Sequence, residues 1–222
     1  MERRRFLRLL GAGVGLAIAA CSPLPFSDRF RINTVERAVP RFDPATWELV
    51  VDGLVERPLR LSYHELLGLP SASQVSDFRC VEGWRVGRVR WEGVRLETLM
   101  RIVKPLPEAK YVTLHSAGST YGNESYIESL ALSEATLPDS LLAYHMQGKP
   151  LPPKHGAPLR MVVAQMFGYK SAKWVTRIEF SAAEVTGYWE KRGWATDAYI
   201  SKGPRRKMGP SQATGLEGFD EY

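Results

Sequence analysis

Apolar and polar positions alternate over short stretches of this chain, and the pattern is often interrupted. Trp47-Glu48-Leu49-Val50-Val51 reads as a strand, Asp52-Gly53 as a hairpin turn, and Leu54-Val55 as the start of the returning strand. Ser62-Tyr63-His64-Glu65 is a capping box, in which serine and glutamate each satisfy a backbone N–H of the other; it predicts a short helix from Tyr63 to Leu67. Gln74 to Val81 reads as a strand that delivers Cys80 near its end. Leu96 to Val103 has apolar residues at helical spacing and predicts an amphipathic helix, stopped by Pro105. Lys110 to His115, Leu141 to Met146, Pro158 to Ala164 and Val175 to Phe180 read as apolar strands, the second closed by a Gln147-Gly148 turn. Strands dominate, helices are short and no βαβ alternation appears, so the class is α+β with mixed sheets.

The N-terminus departs from this pattern. Arg3-Arg4-Arg5-Phe6-Leu7-Arg8 precedes an apolar run from Leu9 to Ala20, too short to span a bilayer and the right length for the core of a signal peptide. Paired arginines before Phe-Leu look like a twin-arginine signal over residues 1–20, the route by which folded proteins are exported. Folded export serves proteins whose cofactor is inserted in the cytoplasm. Ile18-Ala19-Ala20-Cys21 also resembles a lipobox, which makes Cys21 the lipidated first residue of the mature protein; ordinary cleavage after Ala19 or Ala20 fits the same small residues. The expected location is periplasmic or on the outer face of the membrane, lipid-anchored if Cys21 is acylated. Gly11-Ala12-Gly13-Val14-Gly15 imitates a dinucleotide-binding loop, but no strand precedes it.

Charge follows from the same division. The whole chain carries 30 Lys and Arg against 24 Asp and Glu; without residues 1–20 the balance is 26 against 23, so +6 falls to +3. Much of the basicity belongs to the signal, which removes the main support for nucleic-acid binding. The remainder is ample for one core. Residues 21–45 read as an irregular leader, 46–200 as one domain and 201–222 as a C-terminal extension; a monomer is expected.

With the signal and Cys21 set aside, Cys80 is the one cysteine of the domain, in Phe78-Arg79-Cys80-Val81-Glu82-Gly83-Trp84. A thiol without a disulfide partner in an oxidising compartment is either an inert buried hydrophobe or a thiolate held by a metal. Arg79, Arg85, Arg88 and Arg90 surround it, a setting that lowers a thiol pKa below its free value of about 8.5 and that also attracts anions. The bland alternative is a solvated basic face. A second concentration of chemistry runs from Leu151 to Arg160 and from Phe167 to Trp174. Here His155, Arg160, Lys170 and Lys173 supply donors around glycines that let backbone approach a ligand, and Ser171 to Lys173 can form an anion nest. A positively charged hairpin with a core histidine is the alternative.

Taken together, Arg79-Cys80-Val81-Glu82-Gly83-Trp84, His155-Gly156-Ala157-Pro158-Leu159-Arg160 and Gly168-Tyr169-Lys170-Ser171-Ala172-Lys173-Trp174 resemble the molybdopterin-binding domain of the sulfite oxidase family, and its exported bacterial members in particular, including methionine-sulfoxide reductase catalytic subunits. The likeness runs from about Trp47 to Gly193. It implies a sulfite-oxidase-type fold and a molybdenum–molybdopterin cofactor with one pterin dithiolene. It implies two-electron oxygen-atom transfer on a small or peptidyl S- or N-oxide or a sulfite-like anion. By the resemblance Cys80 is the protein thiolate on molybdenum, and Cys80 with the adjacent Arg79 are the catalytic candidates. His155 and Arg160 match positions that hold the pterin and its phosphate, and Ser171, Ala172 and Lys173 a phosphate-binding turn. Ser116 falls where the family places a hydroxyl contact, and Asn33 matches an early cofactor-contacting asparagine. Ala164-Gln165-Met166 departs from the family's Val-Pro-Gly, and Trp91-Glu92-Gly93 lies one residue further from the cysteine than the pattern.

No Cys-x-x-Cys-His haem site occurs in the sequence. Electrons are therefore expected to pass through a separate redox partner, a membrane-bound haem protein or a soluble cytochrome. His64, His115 and His145 have no metal-ligand spacing and read as structural. Arg205-Arg206-Lys207 reads as solvated charge or a docking patch, and Tyr188-Trp189 and Gly193-Trp194 as core-edge or cofactor-mouth aromatics. The alternative function is a non-catalytic exported lipoprotein that keeps the fold as a binding module.

Overall fold

The computed structural model describes Phe30 and residues 32–206; the signal, the lipobox with Cys21, the first part of the leader and residues 207–222 of the C-terminal extension, Lys207 included, lie outside it. Among the described residues ten strands and three short α-helices follow one another. They are β1 (Glu48–Gly53), β2 (Leu59–Ser62), α1 (Tyr63–Leu67), β3 (Ala72–Arg79), β4 (Arg85–Val94), α2 (Leu96–Val103), β5 (Tyr111–Ser116), β6 (Ile127–Ala131), α3 (Leu132–Ala135), β7 (Ser140–Met146), β8 (Lys149–Pro150), β9 (Arg160–Val163) and β10 (Val175–Ser181). One sheet has the order β2-β1-β10-β5-β6, mixed because β1 and β10 run parallel. The other has the order β3-β4-β7-β8, with β9 also on β7, and is antiparallel throughout. No helix among the described residues is long and apolar enough to cross a membrane.

β7 divides the interior. Leu142 and Tyr144 point into the main core with Leu49, Leu99, Leu114 and Phe180, while Leu141 and Ala143 point into a second cluster with Phe30, Val89 and Trp91. A strand buried on both faces shows a continuous apolar run, which is why Leu141 to Met146 is so legible. The capping box is also present: Ser62 Oγ accepts the Glu65 N–H and Glu65 Oε2 the Ser62 N–H at 2.8 Å. α2 has no side-chain cap, so the burial of Leu96, Leu99 and Val103 holds it, each side chain worth about 1.5–3 kcal/mol.

Asp52-Gly53 is not the hairpin turn expected. Both residues belong to β1, and the link to β2 is residues 54–58. Gly53 pairs with Phe180 so closely that a Cβ would lie 2.2 Å from the Phe180 carbonyl, and Asp52 is engaged by Arg177 Nε–H at 2.9 Å. The turn-like dipeptide is a strand end shaped by the parallel neighbour. Cys80 likewise lies just past β3, and the Pro158–Ala164 strand is confined to Arg160–Val163.

Candidate functional site

Cys80 opens a three-residue hairpin loop. Its N–H donates to Trp84 O at 3.0 Å and its carbonyl accepts the Gly83 N–H at 3.2 Å, so Val81, Glu82 and Gly83 turn the chain, with Gly83 at φ 91 in the left-handed region. Glu82 Oε2 collects the neighbours: it accepts Trp84 Nε1–H at 2.9 Å and Asn33 Nδ2–H, and lies 3.7 Å from Cys80 Sγ. The Asn33 carbonyl accepts Lys173 Nζ–H at 3.0 Å. A continuous set of contacts thus runs from the sulfur to the turn at Ser171–Lys173.

The electrostatics of Cys80 differ from expectation. Burial pushes its thiol up to about 11; the backbone amides of Glu82 and Val81 offset part of the rise, and the Glu82 carboxylate adds to it. The nearby arginines do not lower it, because strand alternation turns them away. Phe78 packs inward against the Trp91 cluster, and Arg79 points to the opposite face, 4.0 Å from Asp77 and opposite Arg85. Arg79 is therefore not brought to the group formed by Cys80, Asn33 and Lys173.

Arg160 begins β9 and is 3% exposed. Its guanidinium donates to the carbonyls of His155 at 3.0 Å and of Met161 and Ser171 at 3.4 Å, beneath the rings of Phe78 and Trp91. Among the described residues no carboxylate pairs with it, and burial lowers its pKa to about 10. Lys173 lies over the Trp174 ring at 4.3 Å; burial lowers its ammonium to about 7, with Glu36 opposing the fall and Arg160 adding to it. Gly156 makes this juxtaposition of cations possible: at φ 106 it sits where a Cβ would come within 3.0 Å of Lys173 Cβ and 3.1 Å of Arg160 Cβ. Gly168 does the same for the other wall, since a Cβ there would lie 2.5 Å from the Phe78 ring.

The remaining expected residues fall around this pair. Ser171 Oγ accepts the Val163 N–H at 3.2 Å, Ala172 O accepts the Met161 N–H at 2.8 Å, and both residues are buried. Ser116, paired with Val175 next to the turn, has a buried hydroxyl with no hydrogen-bond partner among the described residues. His155 is buried, its ring 4.8 Å from that of Phe30. Lys170 is not one of the site's donors. Its Nζ is buried and bonded to Glu128 Oε1 at 2.6 Å, Glu190 Oε1 at 2.7 Å and Ser129 O at 2.8 Å.

Two acidic residues at the site carry no sequence signal strong enough to find them. Glu82 stands inside the cysteine motif but its role as a hub depends on Asn33, 49 residues away. Glu36, buried beside Thr34 and bridged to Thr120, lies in what reads as irregular leader. His115 and His145 pair with Glu179 at 2.9 Å and Glu92 at 3.6 Å, away from the site. Tyr188 packs on Tyr126, and Arg205 and Arg206 fold back onto Asp197 and Trp194. Among the described residues no three His, Cys, Asp or Glu side chains converge as a metal site.

Comparison with known proteins adds the following. The domain family described as "Oxidoreductase molybdopterin binding domain" matches residues 36–189. The chain is 37% identical over 158 residues to "Uncharacterized oxidoreductase YuiH" of Bacillus subtilis, covering 70% of this chain and 76% of that protein. It is 36% identical over 160 residues to "Protein-methionine-sulfoxide reductase catalytic subunit MsrP" of Campylobacter jejuni, and 35% over 192 residues to the MsrP of Gluconobacter oxydans. These alignments cover 67% and 77% of this chain but 54% and 61% of those proteins, so the chain spans little more than half the length of its MsrP relatives. Among solved structures, the sulfane dehydrogenase SoxCD from Paracoccus pantotrophus superimposes with a TM-score of 0.61 at 23% identity, over 68% of this chain and 42% of that one, a likeness of fold.

Proposed function

The chain belongs to the oxidoreductase molybdopterin-binding domain family, and from that premise we propose that it is an exported enzyme of oxygen-atom transfer acting on a peptidyl or small S- or N-oxide, with Cys80 as the protein ligand of molybdenum. The observation that carries this reading is the meeting, through Asn33, of a soft sulfur donor with two cations that lack carboxylate partners. The bound molybdenum–molybdopterin supplies a two-electron couple for moving an oxygen atom.

The donor set fits that group. Arg160 is a buried positive charge and the half-buried Lys173 ammonium beside it is lowered to about 7, an arrangement that an anion such as a phosphate would stabilise. Ser116 offers an unpartnered buried hydroxyl, and Ser171 and Ala172 form the turn beneath. His155 lies against Arg160 through its carbonyl and would line the pterin. The amides of Val81 and Glu82 favour the thiolate that ligation requires. Glu82, 3.7 Å from the sulfur, would fix the Asn33 and Trp84 side chains around it, while Arg79 turns to the opposite face of the strand.

Reduction of a sulfoxide consumes two electrons and two protons and releases water, so a separate redox partner, a haem protein in the membrane or a soluble cytochrome, supplies the electrons. The names of the MsrP relatives favour the reductive direction and a peptidyl substrate. Export by the twin-arginine route, and anchoring through acylated Cys21, complete the reading.

The test is elemental. Protein from a molybdenum-replete host is expected to carry close to one molybdenum per chain and to release a pterin on denaturation, and Cys80→Ser to fold normally while losing the metal or its turnover. Metal below about a tenth of an equivalent, or a Cys80→Ser variant with full activity, removes the reading in favour of a non-catalytic binding module.

A further inference from the structure

Sheet edges are handled unequally in this molecule. β2 is four residues long and β8 two; the open side of β6 meets the Tyr188 N–H at Ile127 O, and β9 is flanked by Ala172, whose carbonyl takes the Met161 N–H. β3 differs. It has eight residues at the rim of its sheet, β4 on one side and, among the described residues, no backbone partner on the other. A row of open N–H and C=O groups is a template for another extended chain. This one ends one residue before Cys80.

The outward face of the β3–β4 ribbon is strongly charged. Arg79, Arg85, Arg88 and Arg90 share it with one nearby carboxylate, Asp77, which lies 4.0 Å from both Arg79 and Arg85 and accepts the Arg88 N–H at 3.1 Å. A bulge in β4 at Gly87-Arg88, opposite Asp77, breaks the register, and within it Arg88 is held at φ 55, a left-handed conformation that costs an L-residue on the order of 1–2 kcal/mol. The other carboxylates of the ribbon are committed, Glu82 to Asn33 and Trp84, Glu92 to His145. Val75, 58% exposed, lies on the same open strand.

We infer that the open edge of β3 is the docking strand for an extended, acidic polypeptide segment, whose sulfoxide-bearing side chain is delivered at the Cys80 end. The inference rests on the proposed chemistry at Cys80 and specifies its substrate class. Main-chain bonds to β3 make docking tolerant of sequence, while side chains on the added strand lie about 4.5–5.5 Å from those of β3, and the β4 arginines stand one strand further, about 4.8 Å. Acidic residues on that face meet guanidinium groups. The same positive charge repels a second copy of this ribbon, so the edge is guarded against self-pairing yet open to an acidic strand.

The experiment uses the holoenzyme and a fluorescein-labelled peptide of about ten residues, with alternating Glu and Thr around one methionine sulfoxide. Three analogues accompany it: one N-methylated at alternate backbone nitrogens, one with Lys for Glu, and free methionine sulfoxide as a turnover substrate with a reduced viologen dye. Anisotropy is expected to show the N-methylated and Lys peptides binding at least about tenfold more weakly than the parent. Arg85→Glu/Arg90→Glu should abolish the preference for Glu over Lys and leave turnover of free methionine sulfoxide unchanged. Equal binding of the parent and N-methylated peptides, or a Glu preference that survives the double substitution, overturns the docking strand. Absent turnover of free methionine sulfoxide instead counts against the oxygen-transfer reading, and the anisotropy still decides the docking.

Discussion

Lys170 and Lys173 are three residues apart and have opposite fates. Burial alone would lower the Lys170 ammonium, but Glu128 and Glu190 overcome it and hold it above the ordinary lysine value. Lys173 has no carboxylate hydrogen bond among the described residues; burial carries it down to about 7, against the pull of Glu36, and the guanidinium of Arg160 deepens the fall. One lysine has its counter-charge inside the fold and fixes a turn onto β6 and the segment around Glu190. The other lacks such a counter-charge in the protein alone. The contrast separates a charge that builds structure from one that, in the proposed reading, would take an anion, although both lie in one short motif of similar appearance.

The largest expected effect breaks the first half of the contrast. Lys170→Met leaves Glu128 and Glu190 buried without a cation and is expected to destabilise the protein by about 3–5 kcal/mol in denaturant titration. Lys170→Met/Glu128→Gln/Glu190→Gln should regain most of that loss, since no uncompensated charge remains. Next, Arg160→Ala should lower molybdenum occupancy by about tenfold while turnover per bound metal changes little. Full occupancy with collapsed turnover would instead assign Arg160 to substrate.

The second half of the contrast is read from pH. Because Lys173 is depressed from 10.5 to about 7, between those values the unfolded chain binds a proton the folded one does not. Stability of the cofactor-free protein from this lysine therefore rises with pH above about 7, and its cost is fully present below that. Lys173→Met should remove this dependence, so that stability of wild type minus variant, measured from about pH 6 to pH 9, rises above about pH 7. The smallest effect sharpens the cause: Glu36→Gln removes the carboxylate that opposes the fall, so Lys173 should titrate still lower when followed by NMR of labelled lysine.

Much of the strand order was legible because local pattern and tertiary role agree. Leu141 to Met146 is apolar throughout and lies between two cores; Ser62 and Glu65 cap α1 by themselves. β4 was hidden by its own chemistry. Arg85, Arg88 and Arg90 alternate with Val86, Val89 and Trp91, but the bulge shifts the period at Gly87-Arg88, so the stretch reads as a basic surface. β6 was hidden because Glu128, a buried carboxylate in mid-strand, is intelligible only with Lys170 beside it. The same long-range pairing explains why Lys170 was grouped with the anion donors. The sulfur was legible as a candidate, but its environment was not: the sign of the Cys80 shift depends on burial and on the face to which each arginine turns, and neither is local.

The parallel pairing of β1 with β10 also has a consequence in time. Val50 stands opposite Arg177, 127 positions later in the chain. At a synthesis rate of about 5–20 residues per second, β1 spends roughly 6–25 s outside the ribosome before its partner exists. During that interval it is an apolar ribbon with nothing to pair with along that side, and the first sheet cannot close until the segment carrying Ser171–Lys173 has also emerged. Completion of the sheet and assembly of the Ser171–Lys173 turn are therefore late, nearly simultaneous events. A quality-control step that waits for a closed sheet before releasing the chain would also be waiting for the Ser171–Lys173 turn to form.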